Sequence, residues 1–261
     1  SFLNLETYRF KDLDSIIYKM IENEKNYKYN VAWIDFFSSK YRGILNCGNH
    51  IEDKEILNTN KKLLYKQRFS IKVPSFFPGV FLNKHTIRIF NKIKYMNNFK
   101  NEDRKIVSIN TFFYPLDAIQ SWNHLYGSKG FIQYQFVVPD NSSFFISEAL
   151  NTIKKSSIPV FLVVLKRFGE ENQGMLSFPK QGWSLAIDMP ANVPNIYTTL
   201  EKLDRKLINA GGRIYLAKDI RQSPETFKLT YPNFKNWKSI KQRLDPRRVF
   251  ISDLAKRLNF F

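Results

Sequence analysis

The second half of the chain contains the same order of elements twice, and this repeat constrains the fold more than any other feature. The segment FIQYQFVVP is typical of a strand closed by proline. It precedes a predicted helix (144–155) and the apolar strand PVFLVVLK, which ends at Lys166. The segment WSLAIDMP precedes a second predicted helix (195–210) and the strand RIYLAK, which ends at Lys218. Two β-α-β units of nearly equal length predict an α+β fold of the ferredoxin-like kind.

Both repeats end on a lysine that follows a mostly apolar strand. An ammonium group is costly to bury without a partner. Lys166 and Lys218 therefore either emerge into solvent or are directed at something anionic, and the spacing leaves both interpretations open. In an ideal ferredoxin-like sheet the two lysine-bearing ends lie at opposite edges, so the repeat by itself does not bring the two lysines together.

The first half is more varied. Apolar residues at helical spacing predict a helix over 13–21, and YNVAWIDFF and RGILNCG are predicted to be neighbouring strands joined by a short polar turn. The polar segments 53–78 and 91–105 are predicted to be extended connections, and VSINTFFYP a further strand. In the tail, Ser223 is a favourable N-cap for the first of several short helices.

The net charge and the numbers of cysteines and histidines limit the classes of function that this chain can have. The 261 residues carry a formal charge of +18, which favours an anionic partner such as nucleic acid, an acidic membrane surface or a phosphorylated substrate. The lysines are dispersed among acids, however, and a general bias toward Lys, Asn and Ile explains the charge equally well. One cysteine excludes an internal disulfide, and three separated histidines give no metal-ligand spacing, so no metal is expected. The start has neither a signal-peptide layout nor an initiator Met, and a processed product or a piece of a longer chain is expected.

Gln133 and Gln135 offer the clearest polar pattern. They alternate with Tyr134 and Phe136, so both amides leave the same face of one strand. Such a pair either lines a polar pocket or faces solvent. Trp33 is first expected to be a core residue, and no catalytic triad, glycine-rich phosphate loop or pair of carboxylates stands out.

Several segments carry a resemblance to a known family, in order and over essentially the whole chain: YNVAWIDFF, TFFYPLDAIQSWNHLYG, GFIQYQFVVP, LSFPKQGWSLAIDMP, LDRKLINAGGRIYLAKD and KQRLDPRRVFISDLAKRL. They resemble the decaprenylphosphoryl-β-D-ribose 2′-oxidases, flavoproteins of the vanillyl-alcohol-oxidase superfamily. The resemblance implies an α+β fold with a large antiparallel sheet flanked by helices and a helical C-terminal tail. It implies a substrate-binding domain over 1–212 and a segment, 213–261, that completes an FAD-binding domain whose N-terminal part is absent here.

The implied activity is an FAD-dependent oxidation of a secondary alcohol by hydride transfer to the flavin. The implied substrate is a polyprenyl-phosphoryl pentose, a precursor of cell-wall arabinan, and these 261 residues alone are expected to be inactive. A partner reductase for the keto product and peripheral contact with the cell membrane are also implied, with a cytoplasmic or peripheral location. The alternatives are a sugar or aldonolactone oxidase of the same superfamily, or a non-catalytic basic module that binds nucleic acid or acidic membrane. Of these partners, nucleic acid is the least expected.

The resemblance also assigns roles to individual residues. Lys218 is implied to lie beside the flavin ring and the substrate as a catalytic cation, with Tyr215 close to the ring. The residues implied to bind the substrate are Gln133, Gln135, Lys166, Ser184, Trp33 and Leu116. Two positions depart from the family pattern, because Ser184 replaces an asparagine and Ala186 a cysteine. The first puts the fit of the sugar in question, and the second removes a thiol.

Overall fold

We describe a computed structural model of the chain over residues 2–51, 71–74, 83–97, 102–115, 119–127 and 130–261. The chain divides into two compact units. Unit 1 comprises 1–131 and 159–164, and unit 2 comprises 132–158 and 165–261. Both combine helices with antiparallel strands, as the sequence predicts.

Unit 1 is built on four neighbouring strands: β1 (Phe2–Phe10), β2 (Tyr29–Ile34), β3 (Gly43–His50) and β5 (Glu102–Ser108). Their order is β2-β3-β1-β5, and every neighbouring pair is antiparallel. The pairing of β2 with β3 confirms the two neighbouring strands predicted there. A short parallel pair, β4 (Ile71–Lys72) and β6 (Ile119–Gln120), belongs to the same unit.

Helix α1 (Leu13–Glu22) covers this sheet because its apolar residues fall on one face. Ile16 and Met20, one turn apart, are completely buried. The helix begins where the side chain of Asp12 accepts a hydrogen bond from the backbone N–H of Ser15 at 2.8 Å. Nearby, Cys47 on β3 is buried, and the amide of Asn23 donates to its sulfur at 3.3 Å.

Unit 1 also contains two helices that the sequence did not predict. The polar segment 91–105 is not an extended connection, because helix α2 (Lys84–Met96) runs through its first part and β5 occupies its end. The predicted strand VSINTFFYP is likewise wrong beyond its start, since α3 (Ile109–Phe113) follows β5 directly and Ser108 caps it. Most of the predicted connection 53–78 lies outside the described residues.

Unit 2 contains two covering helices and most of four strands in the chain order β-α-β-β-α-β, since Phe131 of the first strand and residues 162–164 of the second belong to unit 1. The elements are β7 (Phe131–Val138), α4 (Phe144–Lys155), β8 (Leu162–Phe168), β9 (Gly182–Pro190), α5 (Ile196–Asn209) and β10 (Arg213–Ile214). The strands lie in the order β10-β7-β9-β8, which is the ferredoxin-like arrangement predicted from the repeat. Strand β9 is buried along its length except at Pro190, as expected of a central strand covered on both faces.

One predicted strand of unit 2 is much shorter than expected. RIYLAK pairs with β7 only through Arg213 and Ile214, after which the backbone N–H of Tyr215 still donates to the carbonyl of Gln135 at 2.9 Å. The chain then turns through a 3-10 helix, Leu216–Lys218. Lys218 is therefore on a turn and not at the end of a strand.

The C-terminal tail consists of three short helices, α6 (Pro224–Thr230), α7 (Phe234–Leu244) and α8 (Asp253–Arg257). The predicted cap is present, because Ser223 accepts from the N–H of Thr226 at 3.0 Å and Pro224 opens the helix. The tail packs around a cluster of buried aromatic rings in which Phe227 and Phe260 stack at 4.8 Å. Whether 213–261 completes an FAD-binding domain stays a prediction.

Candidate active site

Amide side chains of β7 reach polar side chains of β9 within unit 2. The Nε2 of Gln133 donates to Oδ1 of Asp188 at 2.6 Å, and the Nε2 of Gln135 donates to the hydroxyl of Ser184 at 3.2 Å. Alternation along each strand places these four residues on one face. Gln135 and Ser184 are buried and Gln133 is half-buried, so this polar face is largely shielded from solvent. We call these four residues together with Lys166 and Lys218 the polar cluster.

Asp188 is the one acidic residue of the polar cluster. Its side chain is buried, with a relative exposure of 2 %. Burial raises the pKa of Asp188 to about 6, although the hydrogen bond from Gln133 and the positive charge of Lys218 both lower it. The carboxylate is consequently ionised at neutral pH but close enough to its pKa to take up a proton.

Lys166 and Lys218, which the repeat alone does not bring together, interact electrostatically. Burial lowers the pKa of half-buried Lys166, and the neighbouring charge of Lys218 lowers it further. Their strands are separated in the sheet as the fold requires, because β10 and β8 are the first and last of the four strands. The placement of these strands agrees with the ideal fold, and the turn after Ile214 carries Lys218 off its edge strand. Lys166 also does not close its strand, since β8 continues to Phe168.

Tyr215 lies at the start of the same turn. Its ring packs on Phe178 with centroids 4.5 Å apart and an angle of 32° between the planes. Its backbone N–H bonds to the carbonyl of Gln135, so Tyr215 is anchored directly to the strand that carries both glutamines. The exposed Lys218 follows three residues later.

The remaining predicted residues are placed as follows. Ser184 is buried and takes part in the cluster through its hydroxyl, and Ala186, two residues on along the same face, is also buried. Trp33 belongs to unit 1, where it is buried and the Lys94 ammonium lies 4.6 Å from its ring centroid. Leu116 lies outside the described residues.

Sequence reasoning missed Asp188. The signal was present, because WSLAIDMP contains one carboxylate within an otherwise apolar strand, and a charged residue in such a place requires a partner. The partners, Gln133 and Lys218, are far away in sequence, so the pattern could not identify them. Among the described residues, no cluster of His, Cys, Asp and Glu that could hold a metal ion was found.

Comparison with known proteins supports the resemblance seen in the sequence. Residues 146–258 match the family described as D-arabinono-1,4-lactone oxidase. The chain is 34% identical over 252 residues to the decaprenylphosphoryl-beta-D-ribose oxidase of Mycolicibacterium smegmatis, covering 94% of this chain and 54% of that protein. The resemblance is confirmed. This chain spans about half the length of that oxidase.

Two further similarities are more distant. The chain is 21% identical over 131 residues to L-gulono-1,4-lactone dehydrogenase of Mycobacterium tuberculosis, covering 49% of this chain and 30% of that protein. A solved structure titled solvent-stable cholesterol oxidase aligns over 98% of this chain and 60% of its own length, with a TM-score of 0.53 and 10% identity. At this identity the alignment supports the α+β fold alone. No helix in the described part of the chain is long and apolar enough to cross a membrane.

Proposed function

We propose that this chain is the substrate-binding part of an FAD-dependent oxidase that converts a secondary alcohol of a polyprenyl-phosphoryl pentose to a ketone. The observation that carries the proposal is the polar cluster. In it, the positive charge of Lys218 lowers the pKa of Asp188 and that of Lys166. The 34% identity to a decaprenylphosphoryl-beta-D-ribose oxidase supports the substrate class.

Two residues after Ile214 have the chemistry expected of groups that contact a flavin ring. Lys218 presents an exposed ammonium group on a turn, and Tyr215 presents a half-buried ring supported by Phe178. An aromatic ring beside a cation is suited to a flat molecule that gains negative charge on reduction. We assign Tyr215 and Lys218 as the residues of this chain that hold the flavin.

The chemistry divides between cofactor and protein. A bound flavin would supply the hydride acceptor, so that the carbon-bound hydrogen of the alcohol would leave with both electrons of its bond. Lys218 would supply a positive charge to stabilise the negative charge of a reduced flavin. The hydroxyl proton released in the same step needs an acceptor, and the ionised carboxylate of Asp188 supplies one. Loss of the C–H hydride and the O–H proton leaves the ketone.

The other members of the polar cluster orient the sugar. Lys166 lies where burial has lowered its pKa, and it donates hydrogen bonds to hydroxyl oxygens of the substrate. Gln133 is held by Asp188 and Gln135 is engaged with Ser184, so each amide keeps a fixed direction. Fixed polar groups of this kind select substrates by the hydroxyls they can satisfy.

The test compares Lys218→Met with Lys202→Met in the full-length gene product, because Lys202 is an exposed lysine on α5. Both variants should bind FAD, but Lys218→Met should slow the anaerobic bleaching of the flavin by substrate by about 100-fold or more. Lys218 lowers the pKa of Asp188, so its loss should also move the acid limb of the pH–rate profile to higher pH. Unchanged reduction in Lys218→Met would refute its catalytic role.

A second candidate is the oxidation of a soluble aldonolactone, which the match of residues 146–258 to the D-arabinono-1,4-lactone oxidase family supports. The same flavin-bleaching assay separates the two, because only one of the two substrate classes should reduce the flavin efficiently. A third hypothesis explains the positive charge of the chain, in which the chain is a non-catalytic module that binds nucleic acid. It predicts nucleic-acid affinity that falls steeply with salt and tolerates the loss of Lys218.

A further inference from the structure

Helix α2 of unit 1 exposes a row of large apolar side chains. Ile89, Ile93 and Met96 follow one another at intervals of four and three residues, so they lie along one side of the helix. Their relative exposures are 61 %, 52 % and 47 %, and that of neighbouring Phe90 is 62 %. Single exposed apolar residues are ordinary, but four on one helical face mark a binding surface.

The opposite side of α2 is fixed to the protein. Ile87 and Asn91, one turn apart, are buried, and the amide of Asn91 donates to Oδ1 of Asp35 at 2.9 Å. The helix also begins with a reciprocal capping box between Asn83 and Thr86. The helix is therefore held in place by its inner side, and its exposed apolar row is not required for packing.

A row of cations runs beside the apolar row. Lys84, Arg88 and Lys92 recur every four residues and are all exposed, and the helix KHTIRIFNKIKYM contains no acidic residue. Helix α1 differs, since its exposed Tyr18 and Ile21 are accompanied by acidic side chains. A cation row along an apolar row is the pattern of a helix that lies in the interface of an anionic membrane.

We propose that the outer face of α2 binds the surface of an anionic lipid bilayer, where outer face means the apolar residues Ile89, Phe90, Ile93 and Met96 with the cations Lys84, Arg88 and Lys92. The helix lies parallel to the membrane, with the apolar row among the acyl chains and the cations at the headgroups. Residues 84–96 of this helix include no acidic side chain, so its charge is complementary to that of an anionic layer. The inference deepens the proposed function, because a polyprenyl-phosphoryl substrate is itself a membrane lipid.

The test is cosedimentation of the full-length gene product with vesicles of phosphatidylcholine, with and without phosphatidylglycerol. The wild type should bind the anionic vesicles, and Ile89→Gln/Ile93→Gln should weaken this binding by about tenfold or more. The matched control is Tyr18→Gln/Ile21→Gln, which removes equally exposed apolar groups from α1 and should bind as the wild type does.

The cation row is tested separately. Lys84→Gln/Lys92→Gln should weaken binding to anionic vesicles by about tenfold or more at low salt. In high salt the difference between this variant and the wild type should become small. The control Lys155→Gln/Lys202→Gln changes the net charge equally on helices α4 and α5 of unit 2, and it should change binding much less. Circular dichroism should show that all four double variants are folded, since every substituted side chain is exposed or half-exposed.

Three results would overturn the proposal: no binding of the wild type to anionic vesicles, wild-type binding by Ile89→Gln/Ile93→Gln, or self-association in solution that this variant abolishes. The last result would make the outer face an interface between copies of the chain. The assay contains neither substrate nor flavin turnover. Refutation of the proposed function, by unchanged flavin reduction in Lys218→Met, would therefore leave the vesicle result unchanged.

Discussion

Replacing Asp188 by asparagine should make the stability of the protein less dependent on pH. The pKa of Asp188 is about 6 in the folded chain against an ordinary value of 3.8, a difference of about 2 pH units. Each pH unit corresponds to about 1.4 kcal/mol, so ionising this buried group costs the folded state about 3 kcal/mol. Asparagine keeps an oxygen that accepts from Gln133 but carries no charge to desolvate.

The sign follows from which state binds the proton more tightly. Below about pH 4 the carboxyl group is protonated in the folded and the unfolded chain, and its ionisation contributes nothing. As pH rises from about 4 to 6, the unfolded chain ionises first and the wild type loses stability. Above about pH 6 the full cost of about 3 kcal/mol is present. The free energy of unfolding of Asp188→Asn should then exceed that of the wild type by up to this amount.

Urea unfolding of the wild type and Asp188→Asn between about pH 4 and pH 8 measures this difference. The control is Glu201→Gln, which removes an exposed carboxylate from the middle of α5. A free-energy difference between wild type and Asp188→Asn that stays constant across this range would refute the reasoning. A difference that changes in the wild type's favour at higher pH would mean that Lys218 and Gln133 outweigh burial.

Two further predictions concern unit 2. Arg221→Met should destabilise the fold by about 3–5 kcal/mol in urea unfolding, because Arg221 makes two 2.7 Å bonds to buried Asp204 and its loss leaves that carboxylate without its cation. A loss below about 1 kcal/mol would contradict this. Gly182→Ala should cost about 2 kcal/mol or more, since Gly182 has a φ of +143° and an added Cβ would lie 2.1 Å from a backbone carbonyl oxygen. Gly169→Ala meets no atom within 4 Å and should change the melting temperature little, so equal effects of the two glycine substitutions would exclude the steric argument.

Much of unit 2 was predictable because its patterns are local. Helix α4 has the bounds predicted from its apolar spacing, and period-two alternation placed Gln133 and Gln135 on one face. Helix α2 was missed for a physical reason. Its buried row includes Asn91, whose amide nitrogen donates to a distant carboxylate, while its large apolar residues face outward. The pattern therefore resembled a polar loop.

The approach of Lys218 to Lys166 and Asp188 could not be predicted from spacing. It depends on the point at which β10 ends. After the backbone N–H of Tyr215 has bonded to the carbonyl of Gln135 on β7, the chain leaves the sheet. Nothing in RIYLAK itself marks that point, since an extended strand of six residues would satisfy the same pattern. The residue types of the site could be recognised in the sequence, but their proximity in the fold depends on one turn.

The burial of Cys47 makes the protein convenient for site-specific labelling. It is the one cysteine of the 261 residues, it is completely buried, and burial raises the pKa of its thiol to about 11. Since thiolate is the species that reacts with maleimides, the native chain should give almost no background with such reagents. A single cysteine introduced at Ile93 would then carry a fluorophore selectively, without first removing the native thiol.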